Sequence, residues 1–242
     1  MIFDLIASIE LTASAAIAIA VLSIGFGGDP WARIRIAVGL SVWFVVVTIL
    51  AAIEAFHYQR GFGVSGLGIA VVLPIIVLSL GLLWHGGMHR ALNAIPLSML
   101  IGVNVVRILG VSFLILYADG RLPGPFAPVA GWGDILIGLT ALPVAWLFYR
   151  KGATIVPAVW VWNTLGLLDL MAAIGLGVIS SPGPLRLIFT EPGSALMTSL
   201  PWLLIPGFLV PLLATTHLAI FYRLRREPLV ATRAAPVLNS HP

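Results

Sequence analysis

The stretch IPLSMLIGVNVVRILGVSFLILY, residues 95–117, decides the fold because its only charged side chain is Arg107. A helix needs about 20 consecutive apolar residues to cross the hydrocarbon core of a bilayer. The stretch has no strand-like alternation, and backbone groups in lipid must form their hydrogen bonds within the segment, as they do in a helix. Residues 95–117 are therefore predicted to form a transmembrane helix with Arg107 near its middle.

Six further stretches have the same character, and polar or Gly/Pro-rich breaks separate them. They are residues 4–26, 34–56, 64–84, 126–149, 154–179 and 200–222. The predicted fold is therefore all-α, a polytopic integral membrane bundle of seven transmembrane helices within residues 1–226. Residues 227–242 are predicted to form a short cytoplasmic tail.

The composition excludes most other classes of protein. Of the 242 residues, 60% are hydrophobic and 9% are charged, whereas a soluble domain carries about 25% charged residues. Disorder would require low hydrophobicity and high charge. Since there is no cysteine, disulfides, thiolate metal sites and thiol catalysis are excluded. The net charge of +4 includes no basic cluster large enough to indicate a nucleic-acid partner.

The basic residues predict the orientation through the excess of Lys and Arg that cytoplasmic loops carry. With seven spans, the side of the C-terminus collects Arg33, Arg35, Arg90, Arg150, Lys151, Arg223, Arg225, Arg226 and Arg233. The opposite side collects Arg60, Arg121 and Arg186. The C-terminus is therefore predicted to lie in the cytoplasm and the N-terminus outside, in the plasma (inner) membrane. The first stretch carries no Lys or Arg and is interpreted as a mature span rather than a secretory signal.

Five ionisable residues fall within predicted spans, where charge is costly and indicates a functional site. They are Glu10, Glu54, Arg107, Asp134 and Asp169. At a rise of about 1.5 Å per residue, Arg107, Asp134 and Asp169 reach one depth on three consecutive spans. Glu10 and Glu54 are expected at a shallower depth on the outer side.

Polar neighbours extend this candidate substrate and proton site. Asn104 shares a helix face with Arg107 at a spacing of three residues. Trp162 shares a face with Asp169, and Asn163 follows it directly. These three side chains are expected to shape the site around the charges.

The charges allow two interpretations. In one, Arg107 forms an ion pair with Asp134 or Asp169 that only orients the helices. In the other, a polar cavity open to the outside binds a small solute or relays protons. Four carboxylates cannot all be ionised and paired beside a single guanidinium in low dielectric, so at least one is expected to exchange a proton. The leading hypothesis is thus binding or transport of a small solute, with Arg107 holding an anionic group or an Asp and with Asp134 or Asp169 carrying the proton.

Histidines support an alternative hypothesis, a redox protein that binds haem or a metal. His85 and His89 are four residues apart at the predicted cytoplasmic end of the third span, and His217 is close to that end of the seventh. Imidazoles on facing helices are ligands for haem and for transition metals. A third hypothesis is a non-catalytic subunit that packs against a partner in a membrane complex or against a second copy. No hydrolase, metalloprotease or P-loop motif indicates an enzyme.

The seventh span contains three prolines at intervals of five residues, Pro201, Pro206 and Pro211. Each proline removes a backbone donor and crowds the preceding turn. A kink or break is therefore predicted in the outer half of this span.

Overall fold

The computed structural model describes residues 2–26, 30–84 and 92–225, with the side chains of residues 82–84 excluded. Of the described residues, 81% are helical, and none lies in a strand. The predicted all-α fold class is therefore confirmed. The predicted tail, residues 227–242, lies outside these ranges.

Seven long helices follow one another within the described residues. They are α1 (Ile2–Gly25), α2 (Pro30–Ala52), α3 (Gly63–Trp84), α4 (Leu97–Ala118), α5 (Phe126–Lys151), α6 (Val156–Ile179) and α7 (Ile205–Leu224). Each of the seven apolar stretches of the sequence overlaps one of these helices.

Among residues 2–26, 30–84 and 92–225, six stretches of helix are long and apolar enough to cross a membrane, and one of them, Phe126–Ile179, is 54 residues long. This longest stretch contains both α5 and α6. The two helices are joined by a 3₁₀ turn over Gly152–Ile155 and pack against each other. Gly152 begins the turn with φ +52°, a left-handed conformation that glycine adopts without steric cost.

The observed second helix differs from the predicted one in its bounds and in the position of one predicted site residue. It begins at Pro30 and ends at Ala52, four residues earlier than the predicted 34–56. Proline favours the first helical position, and beyond Ala52 the chain turns through Glu54, whose φ is +54°. Glu54 therefore lies after the helix, its side chain half-exposed and 3.1 Å from Arg60. The prediction that Glu54 lies on the second helix is wrong.

The helices α4 and α7 form the centre of the bundle. In the most apolar window of α7, 72% of residues are buried, and in α4 56% are, compared with 11% in α2. The helix α7 packs against α3, α6 and the start of α4, whereas α4 packs mainly against α5. These two helices are therefore more deeply buried within the bundle than α2 is.

The middle of α4 departs from α-helical geometry. Residues Val103–Gly110 form a 3₁₀ helix, and a mid-helix 3₁₀ segment of this length is uncommon and often marks a strained or functional region. Three residues per turn place Asn104, Arg107 and Gly110 in one line along the helix. This segment carries Arg107 to the face of α5.

The prolines of the seventh stretch delay the start of its helix. Residues 200–204 form turns and a single helical residue, and α7 begins with a π-helical turn over Ile205–Leu209 that contains Pro206. Proline lacks a backbone donor, which favours such an irregular first turn. Pro211 follows within the regular helix, Val210–Leu224.

Candidate functional site

Arg107 is the centre of a buried polar cluster that joins four helices. Its Nε donates to Asp134 Oδ1 of α5 at 2.6 Å, and its Nη2 donates to Asp169 Oδ2 of α6. Its Nη1 donates to the carbonyl of Gly166 at 2.9 Å and lies 3.1 Å from His217 Nε2 of α7. Because the side chain of Arg107 is 1% exposed, these four partners replace its hydration.

The two carboxylates are less completely enclosed than the guanidinium. The side chains of Asp134 and Asp169 are 14% and 13% exposed. Each carboxylate accepts a hydrogen bond from Arg107 through one of its oxygens. No other described residue donates a hydrogen bond to the second oxygen of either carboxylate. The cluster therefore contains two carboxylates and one guanidinium, and each carboxylate has an oxygen that no described residue bonds.

His217 belongs to this cluster and is fully buried. Arginine can only donate hydrogen bonds, so His217 Nε2 accepts from Arg107, and Nδ1 carries the proton that it donates to Asn163 Oδ1 at 2.8 Å. The amide of Asn163 in turn donates to the His217 carbonyl at 3.0 Å. Both ring nitrogens are thereby engaged, and the imidazole in this arrangement is neutral.

Trp162 supports the cluster from the side. Its Nε1 donates to Thr140 Oγ1 at 2.9 Å, which links α6 to α5. Its ring lies 5.7 Å from the ring of His217, centroid to centroid. Trp162 therefore contributes packing and fixes the position of the imidazole.

Glycines make room for the charged groups. A Cβ atom at Gly133 would overlap Asp169 Oδ1, and one at Gly166 would overlap the ring of His217. At Gly138 a Cβ would come within 2.5 Å of the Ile108 backbone nitrogen. The close approach of α4, α5 and α6 around Arg107 thus depends on the absence of side chains at these positions, as in other tightly packed membrane helices.

The other predicted site residues lie apart from the cluster. Asn104 donates to the carbonyls of Leu100 and Ile101 in its own helix, and its Oδ1 is buried without a partner among the described residues. Glu10 is partly buried on α1, where its carboxylate bonds to no other described residue. Glu54 pairs with Arg60 in the turn after α2.

The predicted histidine group is only partly described. His85 and His89 lie outside the described residues, so their relation to His217 stays untested. Within those residues, no group of three or more His, Cys, Asp or Glu side chains could hold a metal ion. His217 itself faces Arg107, and a metal on its Nε2 would have to displace that guanidinium.

A second polar group lies at the end of the bundle that contains the start of α1. Arg121 donates to both oxygens of Asp4, at 2.7 and 3.3 Å, and Trp202 Nε1 donates to Asp4 Oδ1 at 3.2 Å. In the loop beyond α6, a hydrogen bond from Arg186 lowers the pKa of Glu191. These groups bind loops to helix ends and are separate from the Arg107 cluster.

The sequence did not predict that His217 lies against Arg107, and the predicted site did not include Gly133 or Gly166. The spacing Gly166–Asp169, one helical turn, was a usable signal, because it places the accepting carbonyl and the carboxylate on the same face of α6. The distance of His217 from the end of its predicted span indicates only its depth along the helix. Which face of α7 it occupies follows from packing.

Comparison with known proteins gives a family but no activity. The chain belongs to the family described as Domain of unknown function (DUF8737), whose match covers residues 62–225. No curated protein and no solved structure is detectably similar to the chain. The matched region begins just before α3 and contains Arg107, Asp134, Asp169 and His217.

Proposed function

We propose that this member of the DUF8737 family is an integral protein of the plasma (inner) membrane that binds or transports a small solute and exchanges a proton at Asp134 and Asp169. The observation that carries the proposal is that one buried guanidinium faces two carboxylates. An uncompensated charge within a membrane is costly. Binding one proton makes the cluster neutral, and releasing it restores the negative charge.

The arrangement of the two carboxylates favours a shared proton. Both bond to the same guanidinium through one oxygen, and the second oxygen of each accepts no hydrogen bond from a described residue. Two carboxylates that interact this closely titrate as a pair. Arg107 already binds the protein's own carboxylates. Its proposed role is therefore to hold the two aspartates together, and not to bind the solute.

The proposal includes seven membrane spans with the N-terminus outside and the C-terminus in the cytoplasm. Support for the count comes from α5 and α6, which have 26 and 24 residues and are each long enough to cross about 30 Å of hydrocarbon. Support for the orientation comes from the excess of Lys and Arg on the side of the C-terminus.

Asp134→Asn tests the proton role through solute binding. A panel of neutral amphiphiles, carboxylates, amines and amino acids is screened by the shift in melting temperature of the purified protein at mildly acidic and mildly alkaline pH. We expect any stabilising compound to shift the wild type by different amounts at the two pH values. In Asp134→Asn the difference should disappear, because Asp169 alone balances Arg107.

Asp119→Asn is the matched control, since Asp119 is exposed in the loop after α4. It should keep the pH-dependent shift. If Asp134→Asn also kept that dependence, the proton role would be wrong, and the cluster would be an ion pair that only orients the helices.

A further inference from the structure

A largely apolar cavity lies beside the polar cluster, between α3, α6, α7 and the loop that precedes α7. The space that the centres of water-sized molecules can occupy in it is about 70 Å³, several times the roughly 10–15 Å³ that one water molecule needs. One face of α3 lines it with Val64, Leu67 and Val71, and Ile174 of α6 and Val210 of α7 lie opposite. A lining of apolar side chains favours the binding of a hydrocarbon chain.

The polar residues of the cavity lining carry hydroxyl groups and lie in or next to the loop that precedes α7. Ser181, Ser194 and Thr198 contribute to the lining, which contains no charged residue. Ser194 Oγ donates to the Gly177 carbonyl at 2.5 Å, and Thr198 Oγ1 donates to the Ala195 carbonyl at 2.8 Å. A hydroxyl that has used its proton can still accept hydrogen bonds. This end of the cavity therefore suits an uncharged group that donates.

The cavity is only partly enclosed. The helix α3 packs mainly against α7, which leaves a gap between α3 and α6. A Cβ atom at Gly68, which lines the cavity, would have no other atom within 4 Å. In a bundle that spans the membrane, a gap between two helices opens to the acyl chains of the bilayer.

The cavity and the charged cluster share two helices. Ala173, which lines the cavity, is one helical turn from Asp169 on α6, and Val210 is two turns from His217 on α7. Residues at these spacings lie on the same helix face. A molecule that moves α6 or α7 at the cavity would therefore also move the side chains that hold Arg107.

We infer that this cavity binds a single-chain amphiphile with an uncharged, hydrogen-bond-donating head group, which enters from the bilayer with its head at Ser194 and Thr198. The inference names the solute class of the proposed function and rests on it for the coupling to protons. The hydrocarbon chain would contact α3, α6 and α7. A charged head group would find no opposite charge in this lining and would bind less well.

The test uses photo-crosslinking to protein in phosphatidylcholine nanodiscs. The probe is 1-dodecanol with a diazirine in its chain, and the matched charged probe is the corresponding carboxylate. We expect saturable labelling by the alcohol at residues of α3 and α6 that line the cavity, suppressed by unlabelled 1-dodecanol. The carboxylate probe should label these residues about tenfold less, the ratio that a free-energy difference of about 1.4 kcal/mol produces.

Gly68→Leu fills the space over Gly68 and should reduce labelling by about tenfold. Gly175→Leu is the control, because Gly175 also has no atom within 4 Å of a built Cβ and does not line the cavity. Ala173→Leu is a second filling variant if Gly68→Leu does not fold. Equal labelling in the filling variants and the control, or labelling spread over all lipid-facing helices, would overturn the amphiphile site.

The amphiphile site and the proton exchange can be contradicted independently of each other. Saturable labelling that is the same at acidic and alkaline pH would support the amphiphile site and contradict its coupling to protons. An exchangeable proton at Asp134 and Asp169 together with no saturable labelling would overturn the amphiphile site alone.

Discussion

Replacing Arg107 with methionine is expected to destabilise the folded protein by about 3–5 kcal/mol, the usual cost of removing one partner from a buried ion pair. The variant leaves Asp134 and Asp169 facing each other without a cation and removes the donor to His217 and to the Gly166 carbonyl. Methionine keeps much of the side-chain length without charge. The loss is measured by reversible denaturant unfolding in mild detergent, followed by the fluorescence of the tryptophans.

Two comparisons separate this effect from a loss of packing. Arg150→Met removes an exposed arginine near the end of α5, whose guanidinium lies over Trp146, and should change stability by less than about 1 kcal/mol. Adding Asp134→Asn and Asp169→Asn to Arg107→Met removes all three charges and should restore part of the loss, because uncharged residues need no compensation. An Arg107→Met protein as stable as the wild type would contradict the structure of the cluster.

Gly138→Ala is expected to destabilise the protein by about 1–3 kcal/mol through overpacking. The added Cβ would lie 2.5 Å from the Ile108 nitrogen and 2.9 Å from the Arg107 carbonyl carbon. Both are backbone atoms of the 3₁₀ segment, so they can yield only if α4 and α5 separate. The same unfolding measurement reports the loss.

Gly175→Ala is the matched control on α6, where no atom lies within 4 Å of the added Cβ. It should be neutral or stabilising by up to about 1 kcal/mol, because alanine has the higher helix propensity. Equal effects of the two substitutions would mean that α4 and α5 do not approach as closely at Gly138 as the structure has them.

The positions of the helices could be predicted because hydrophobicity along the chain is a one-dimensional signal. The fifth helix begins at Phe126 as predicted, and the sixth ends at Ile179 as predicted. The second helix begins and ends four residues earlier than predicted. The hydrophobicity of residues 30–56 does not indicate where the chain turns. In the turn at Glu54, the N–H of Ala55 donates to the Leu50 carbonyl, and the Ala55 carbonyl accepts from the N–H of Phe62.

Depth along each helix likewise placed Arg107, Asp134 and Asp169 together, since three spans of known direction fix three heights in the membrane. Depth does not indicate how each helix is rotated about its own axis or which partner each side chain reaches. His217 faces Arg107 because of the direction in which α7 packs. Asn104 lies in line with Arg107, yet its side chain donates to carbonyls of its own helix.

The most direct test of the central claim is an infrared pH titration of the purified protein that follows the carbonyl band of protonated carboxylic acid. We predict a band from one exchangeable proton in the wild type, which titrates and shifts on isotopic exchange. Both Asp134→Asn and Asp169→Asn should lose this titrating band, because either leaves one carboxylate balanced by Arg107. A wild-type protein without such a band, or a band retained in both variants, would contradict a proton shared by the pair.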